Sequence, residues 1–268
     1  MASLVSLAGC ATVQTIPISY EPNVSRRSVG RHDLDTAVKV IAAVMVEDLK
    51  LPAPDATVYL YNGPENREVN INGVVELVHG SAGSKSAAFA RASCPWHKVL
   101  ADRDWLATLS WRARVRTMAH EMLHLVQFAV ADWSCAEPHY WLMEGFAQWG
   151  AYKILASLEL QSFAEGVALF QEDVASAYRR GAFPSLNRLA TAADWQMAER
   201  TVGREAAYGG SVMAVDFLID RKGLAAVVDY FARFKDSKVR NDNFSAAFGE
   251  DVEAFQAEFS AHLKSTLM

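Results

Sequence analysis

Met118-Ala119-His120-Glu121-Met122-Leu123-His124-Leu125-Val126-Gln127 is the stretch on which the reading of this chain turns. Two histidines four residues apart, on a helix of 3.6 residues per turn, lie within about 40° of one another around the axis and one turn apart along it. Both imidazoles can therefore reach a single cation. Zinc takes neutral imidazole nitrogens in tetrahedral geometry, and a catalytic zinc keeps one position for water. Glu121, next to the first histidine, is placed to reach that water rather than the ion. By chance His-Glu-x-x-His is expected in roughly one chain in a hundred of this size and histidine content, so the motif needs an independent partner.

Tyr140-Trp141-Leu142-Met143-Glu144-Gly145-Phe146-Ala147-Gln148-Trp149 supplies one. Glu144 follows His124 by 20 residues, enough for the first helix to end, a loop to run through Asp132 to Pro138, and a second helix to return a carboxylate to the histidines. His120, His124 and Glu144 are thus the expected ligands of one Zn2+ ion.

His-Glu-x-x-His followed by Glu within Trp-Leu-x-Glu-Gly-x-Ala resembles the gluzincin clan of metallopeptidases, the peptidase MA-like group that contains thermolysin and the alanyl-type zinc aminopeptidases. The resemblance covers about Asp104 to Leu263. It implies an α+β, zincin-like two-lobed fold, with a small N-terminal mixed sheet plus helices and a mainly helical C-terminal half. It also implies peptide-bond hydrolysis in which Glu121 takes the proton of water and returns it to the leaving amine. A tyrosine or histidine downstream of the glutamate ligand serves such sites as donor to the oxyanion. Tyr208 lies at a comparable remove here, with His139 as rival and an ordinary packed aromatic as the plain alternative. Many members place an Asp one turn after the glutamate ligand to accept from a ligating histidine; this chain has Gln148 there, an amide that can still accept. No Gly-x-Met-Glu-Asn run is present, so nothing captures a free amino terminus and the expected activity is that of an endopeptidase on peptide or protein. The alternative is a cell-envelope binding or scaffold module that keeps the fold with little turnover, which Gln148 permits and an intact Glu121 argues against.

Outward from the motif, helix periodicity is read over Asp33–Leu49, Trp105–Val130, Tyr140–Leu158, Ser162–Tyr178, Tyr208–Arg221, Leu224–Phe234 and Val252–Leu263. Ala56–Tyr61 is β-rich and ends at the turn signal Asn62-Gly63-Pro64, and the short apolar runs of Glu68–Lys98 suit a small sheet. Ala87-Ala88-Phe89-Ala90 is a candidate edge strand for an extended substrate or an ordinary half-buried strand. Residues 31–268 read as a single catalytic domain, α/β to about residue 130 and helical after it. Residues 1–30 read as a lipoprotein-like leader and tether, with room for one short edge strand.

Composition narrows the partners. The net charge of −5 is spread without a Lys/Arg block, which speaks against nucleic acid. Arg112, Arg114 and Arg116 read as a solvated helix face. No apolar run reaches the roughly 18 residues of a spanning helix. Leu7-Ala8-Gly9-Cys10 resembles the lipobox of bacterial lipoproteins, which would lipidate Cys10 and place the chain in the bacterial cell envelope, lipid-anchored or periplasmic; an accidental match would leave it cytoplasmic. With Cys10 set aside, Cys94 and Cys135 form either one disulfide or two buried thiols.

Overall fold

A computed structural model describes residues 13–61, 68–71, 74–77 and 90–267 of the chain. Its architecture is mixed α+β, with a small four-stranded sheet in the N-terminal half and a helical C-terminal half. The strands of that sheet are β1 (Gln14–Ile18), β2 (Ala56–Tyr61), β5 (Ala90–Ser93) and β6 (Lys98–Asp102), in the order β1-β2-β6-β5. β2 and β6 run parallel at the centre; β1 and β5 flank them antiparallel, so β5 is an edge strand. A separate antiparallel pair, β3 (Glu68–Ile71) with β4 (Val74–Leu77), lies between β2 and β5 in the chain.

Residues 14–18 belong to the domain rather than to a tether. Their alternation buries Ile16 and Ile18 against the core while Thr15 and Pro17 face out, as a half-buried strand requires. The folded unit therefore starts well before residue 31. A 3-10 turn at Arg26–Arg31 leads to α1 (Leu34–Glu47), whose Asp33 side chain caps the Thr36 N–H and whose inner face buries Val38, Ile41, Val44 and Met45.

The helix read over Trp105–Val130 is two helices, α2 (Arg103–Thr108) and α3 (Trp111–Val130). Ser110 explains the break: it takes an extended conformation and accepts from the Ala113 N–H, starting a new helix where the apolar pattern continues unbroken. Arg114, read as part of a solvated face, turns back to donate to the Leu109 and Ala107 carbonyls at the end of α2. After a loop come α4 (Tyr140–Ser157) and α5 (Phe163–Arg179), the latter opened by a Ser162/Glu165 capping box. The periodicity missed α6 (Ala192–Val202) and the short helix at Arg240–Phe248, and it started α7 (Arg204–Lys222) four residues late; Thr191 caps α6 at the Asp194 N–H. α8 (Leu224–Ala232), α9 (Arg240–Phe248) and α10 (Val252–Leu267) close the chain.

α4 is the centre of the helical half. It is buried on nearly every side, by Trp141, Leu142, Phe146, Trp149, Tyr152 and Leu155 among others, and packs between α3 and α7. Glycines allow both approaches: a Cβ on Gly150 would lie 2.6 Å from Leu123 Cδ1 of α3, and one on Gly145 would lie 2.6 Å from the Ser211 carbonyl oxygen of α7. α3 in turn lies against β5 and β6, so it is the seam between sheet and helices.

Candidate metal centre

The seam carries the chemistry. His120 and His124 project from α3 toward Glu144 on α4, and all three side chains are nearly closed off from solvent. His124 Nε2 lies 3.0 Å from His120 Nε2; Glu144 Oε2 lies 3.4 Å from the first histidine's Nε2 and 3.7 Å from the second's. A tetrahedral ion with ligands at about 2.0–2.1 Å spaces them about 3.3–3.4 Å apart. The observed triangle straddles that spacing, and a point about 2 Å from all three atoms exists just off their plane. The cluster could hold one metal ion.

Its charges point the same way. Two imidazole nitrogens facing each other at this distance need either a hydrogen on one of them, making an N–H···N hydrogen bond, or a cation between them. Burial by itself pulls the His124 pKa down, but Glu144 and Glu121 outweigh it and raise the ring to about 9. Glu144 is held well below the usual carboxylate range: burial opposes this, and the two histidines prevail. A buried group of this kind collects positive charge, as a proton on His124 or as a cation in its place.

Glu121 turns from the ligand triangle toward the sheet. Its Oε2 accepts the Ala92 N–H of β5 at 2.7 Å, and its pKa is raised, chiefly by burial, against the pull of both histidines and of that N–H. The edge strand next to the site is thus Ala90–Ser93, which shares Ala90 with the candidate read at 87–90; residues 87–89 lie outside those described. Two residues beyond Ala92, Cys94 is joined by a disulfide to Cys135 in the loop between α3 and α4. The turn around it is tight: His97 stacks on Trp133 with ring centres 3.5 Å apart.

Tyr208, at the start of α7, is half-buried beside the cluster, its ring 6.3 Å from that of His120 and capped by the Arg204 guanidinium at 5.0 Å. Burial first, then the charge of Glu144, raises its pKa well above 10, so it remains a phenol able to donate. Tyr140 was not singled out in the sequence but stands in a like position, its pKa raised by burial and by Glu144 one turn further along α4. The two tyrosines are linked through Trp195, at ring separations of 5.4 and 4.9 Å. The i, i+4 spacing from Glu144 was the available signal.

His139 is elsewhere in character. Its ring is 1% exposed, both ring nitrogens are buried without a hydrogen-bond partner among the described residues, and Trp141, Tyr230 and Phe244 surround it. Burial, then the nearby Arg240, lowers its pKa to about 4. Gln148 is buried on α4, but the amide set against a candidate ligand histidine is Gln127: its Oε1 lies 2.9 Å from His124 Nδ1. It stands three residues after that histidine on the same helix, the spacing that brings side chains together. Cys10 lies outside the described residues. Among the described residues, no helix is long and apolar enough to cross a membrane. Comparisons of the chain with protein-family models, curated proteins and solved structures find no match.

Proposed function

We propose that this chain is a zinc-dependent metallopeptidase of gluzincin type, an endopeptidase acting on extended peptide or protein. The observation that carries the reading is the convergence of His120, His124 and Glu144 at tetrahedral spacing, with Glu121 alongside but outside the triangle. His120, His124 and Glu144 would hold the ion, and zinc bound there would supply Lewis-acid polarisation of a carbonyl and lower the pKa of a bound water.

The chain's own groups do the rest. Glu121 accepts the proton of the attacking water on Oε1 and returns it to the leaving amine; the Ala92 N–H holds Oε2 and so fixes which oxygen is free. Burial raises its pKa, which favours a carboxylate that must both take and give a proton near neutrality. Tyr208, kept protonated, is the donor for the oxyanion. A lipid anchor at Cys10 would put this activity at the bacterial cell envelope.

The test is metal content together with cleavage of an unfolded protein, repeated with Glu121→Gln. One equivalent of zinc in both proteins and cleavage in the parent alone is the expected result. The near-closure of the site favours one other reading, a binding or scaffold module with the same ion and no turnover; stoichiometric zinc with no cleavage by the parent protein selects it.

A further inference from the structure

His124 and Glu144 stand on different helices, and one uncharged side chain reaches toward both. Gln127 is 3% exposed and uses the two ends of its amide in opposite directions. Nε2 donates to the Met143 carbonyl oxygen at 2.8 Å, while Oε1 faces His124 Nδ1 at 2.9 Å.

The order of these contacts fixes a protonation pattern. A backbone carbonyl can only accept, so the amide must present its NH2 to Met143 and its oxygen to the histidine. An amide oxygen can only accept, so His124 must carry a hydrogen on Nδ1. In the neutral ring, Nε2, the atom in the ligand triangle, is then the one with a lone pair to give. Met143 directly precedes Glu144, so the same amide also ties down the peptide unit that leads into the third ligand. A carboxylate at position 127 could hold the imidazole but would set an oxygen against the Met143 carbonyl; an ammonium could serve the carbonyl but not the imidazole. His120 has no such support: its Nδ1 is buried with no hydrogen-bond partner among the described residues.

We infer that Gln127 is the positioning residue of the metal centre, one neutral amide that sets the tautomer of His124 and the placement of Glu144 together. The inference rests on the reading of the cluster as a metal site, and it does not depend on peptide hydrolysis. Being neutral, Gln127 also leaves the ion's charge less compensated than a carboxylate would, preserving its power to polarise a carbonyl.

Co2+ serves as the probe, because its visible absorption is strong in a four-coordinate site and reports geometry as well as affinity. Gln127→Met keeps the volume next to Met143 and loses both contacts; Gln127→Glu keeps an acceptor for His124 and loses the donor to Met143. Expected are Co2+ dissociation constants about 10–100-fold weaker for Gln127→Met, with a weakened absorption, and incomplete recovery in Gln127→Glu. In a Glu144→Ala background the effect of Gln127→Met should shrink, since part of it passes through that ligand. A Gln127→Met protein whose metal-free melting temperature falls while its Co2+ affinity stays within about twofold of the parent would overturn the inference and leave a packing role. Full recovery by Gln127→Glu would overturn the two-ended arrangement. Failure of the parent to bind Co2+ or Zn2+ stoichiometrically would instead remove the metal-site reading beneath it.

Discussion

The two sides of the metal cluster are built differently. On the helical side, His120, His124 and Glu144 come from α3 and α4, which are packed close enough at Gly150 that a Cβ would meet Leu123, and which are joined by the Gln127 amide. On the sheet side, Glu121 meets β5, a four-residue edge strand, by accepting the Ala92 N–H, and a disulfide ties the end of that strand to the α3–α4 loop. Groups that would hold the ion rest on core packing; the group that would move the proton rests on an edge. Binding of metal and turnover should therefore respond to different substitutions.

The largest effect expected of this division is at Glu121. Glu121→Gln should lower peptide hydrolysis by about 10²–10⁴-fold with zinc content unchanged; a matching loss of zinc would show that the two sides are not separable. Next is the disulfide, which closes a sequence separation of 41 residues. Replacing Cys94 and Cys135 together by Ser should cost roughly 2–4 kcal/mol in urea denaturation and should depress hydrolysis more than Co2+ affinity, because the staple supports β5. Equal losses in both would break the comparison.

The helical side has its own sensitivity, to acid. His139, at the start of α4, has its pKa lowered to about 4 in the folded chain by burial, then by Arg240, against about 6.5 unfolded. The unfolded chain binds the proton more readily, so this group's stabilisation is complete above about pH 6.5 and is lost as pH falls toward 4. By pH 4.5 the loss should be roughly 2–3 kcal/mol. His139→Phe, which keeps an aromatic ring among Trp141, Tyr230 and Phe244, should flatten the fall in denaturation midpoint between pH 7.5 and 4.5. A fall of the same size in both proteins would place the acid sensitivity elsewhere. The smallest effect sharpens the picture at one atom. Gly145→Ala sets a methyl 2.6 Å from the Ser211 carbonyl oxygen; it should cost about 1–3 kcal/mol and weaken Co2+ binding through Glu144 while leaving Glu121 in place.

The same division separates what was legible in the sequence from what was not. His120, Glu121 and His124 are related by the geometry of one helix, which spacing alone dictates, and Glu144 could be found because α4 carries its own unmistakable apolar run. Gln127 was overlooked for Gln148, since support was sought beside the glutamate ligand, although the turn after His124 was equally open to reading. The Arg91–Ser93 part of β5 was not read as strand, because Arg-Ala-Ser has no strand character of its own; its conformation comes from pairing with β6. α3 was read too long at its start because a capping serine looks like any polar position in a helix until the backbone is seen. The pairing of Cys94 with Cys135 depends on how the sheet meets the α3–α4 loop, which no local pattern encodes.

That pairing makes a covalent ring of the chain. The ring encloses β6, α2 and the whole of α3, with both histidines and Glu121, while Glu144 lies outside it. A backbone cut within residues 95–134 would leave the two pieces bound to each other, and only a reducing gel would reveal it.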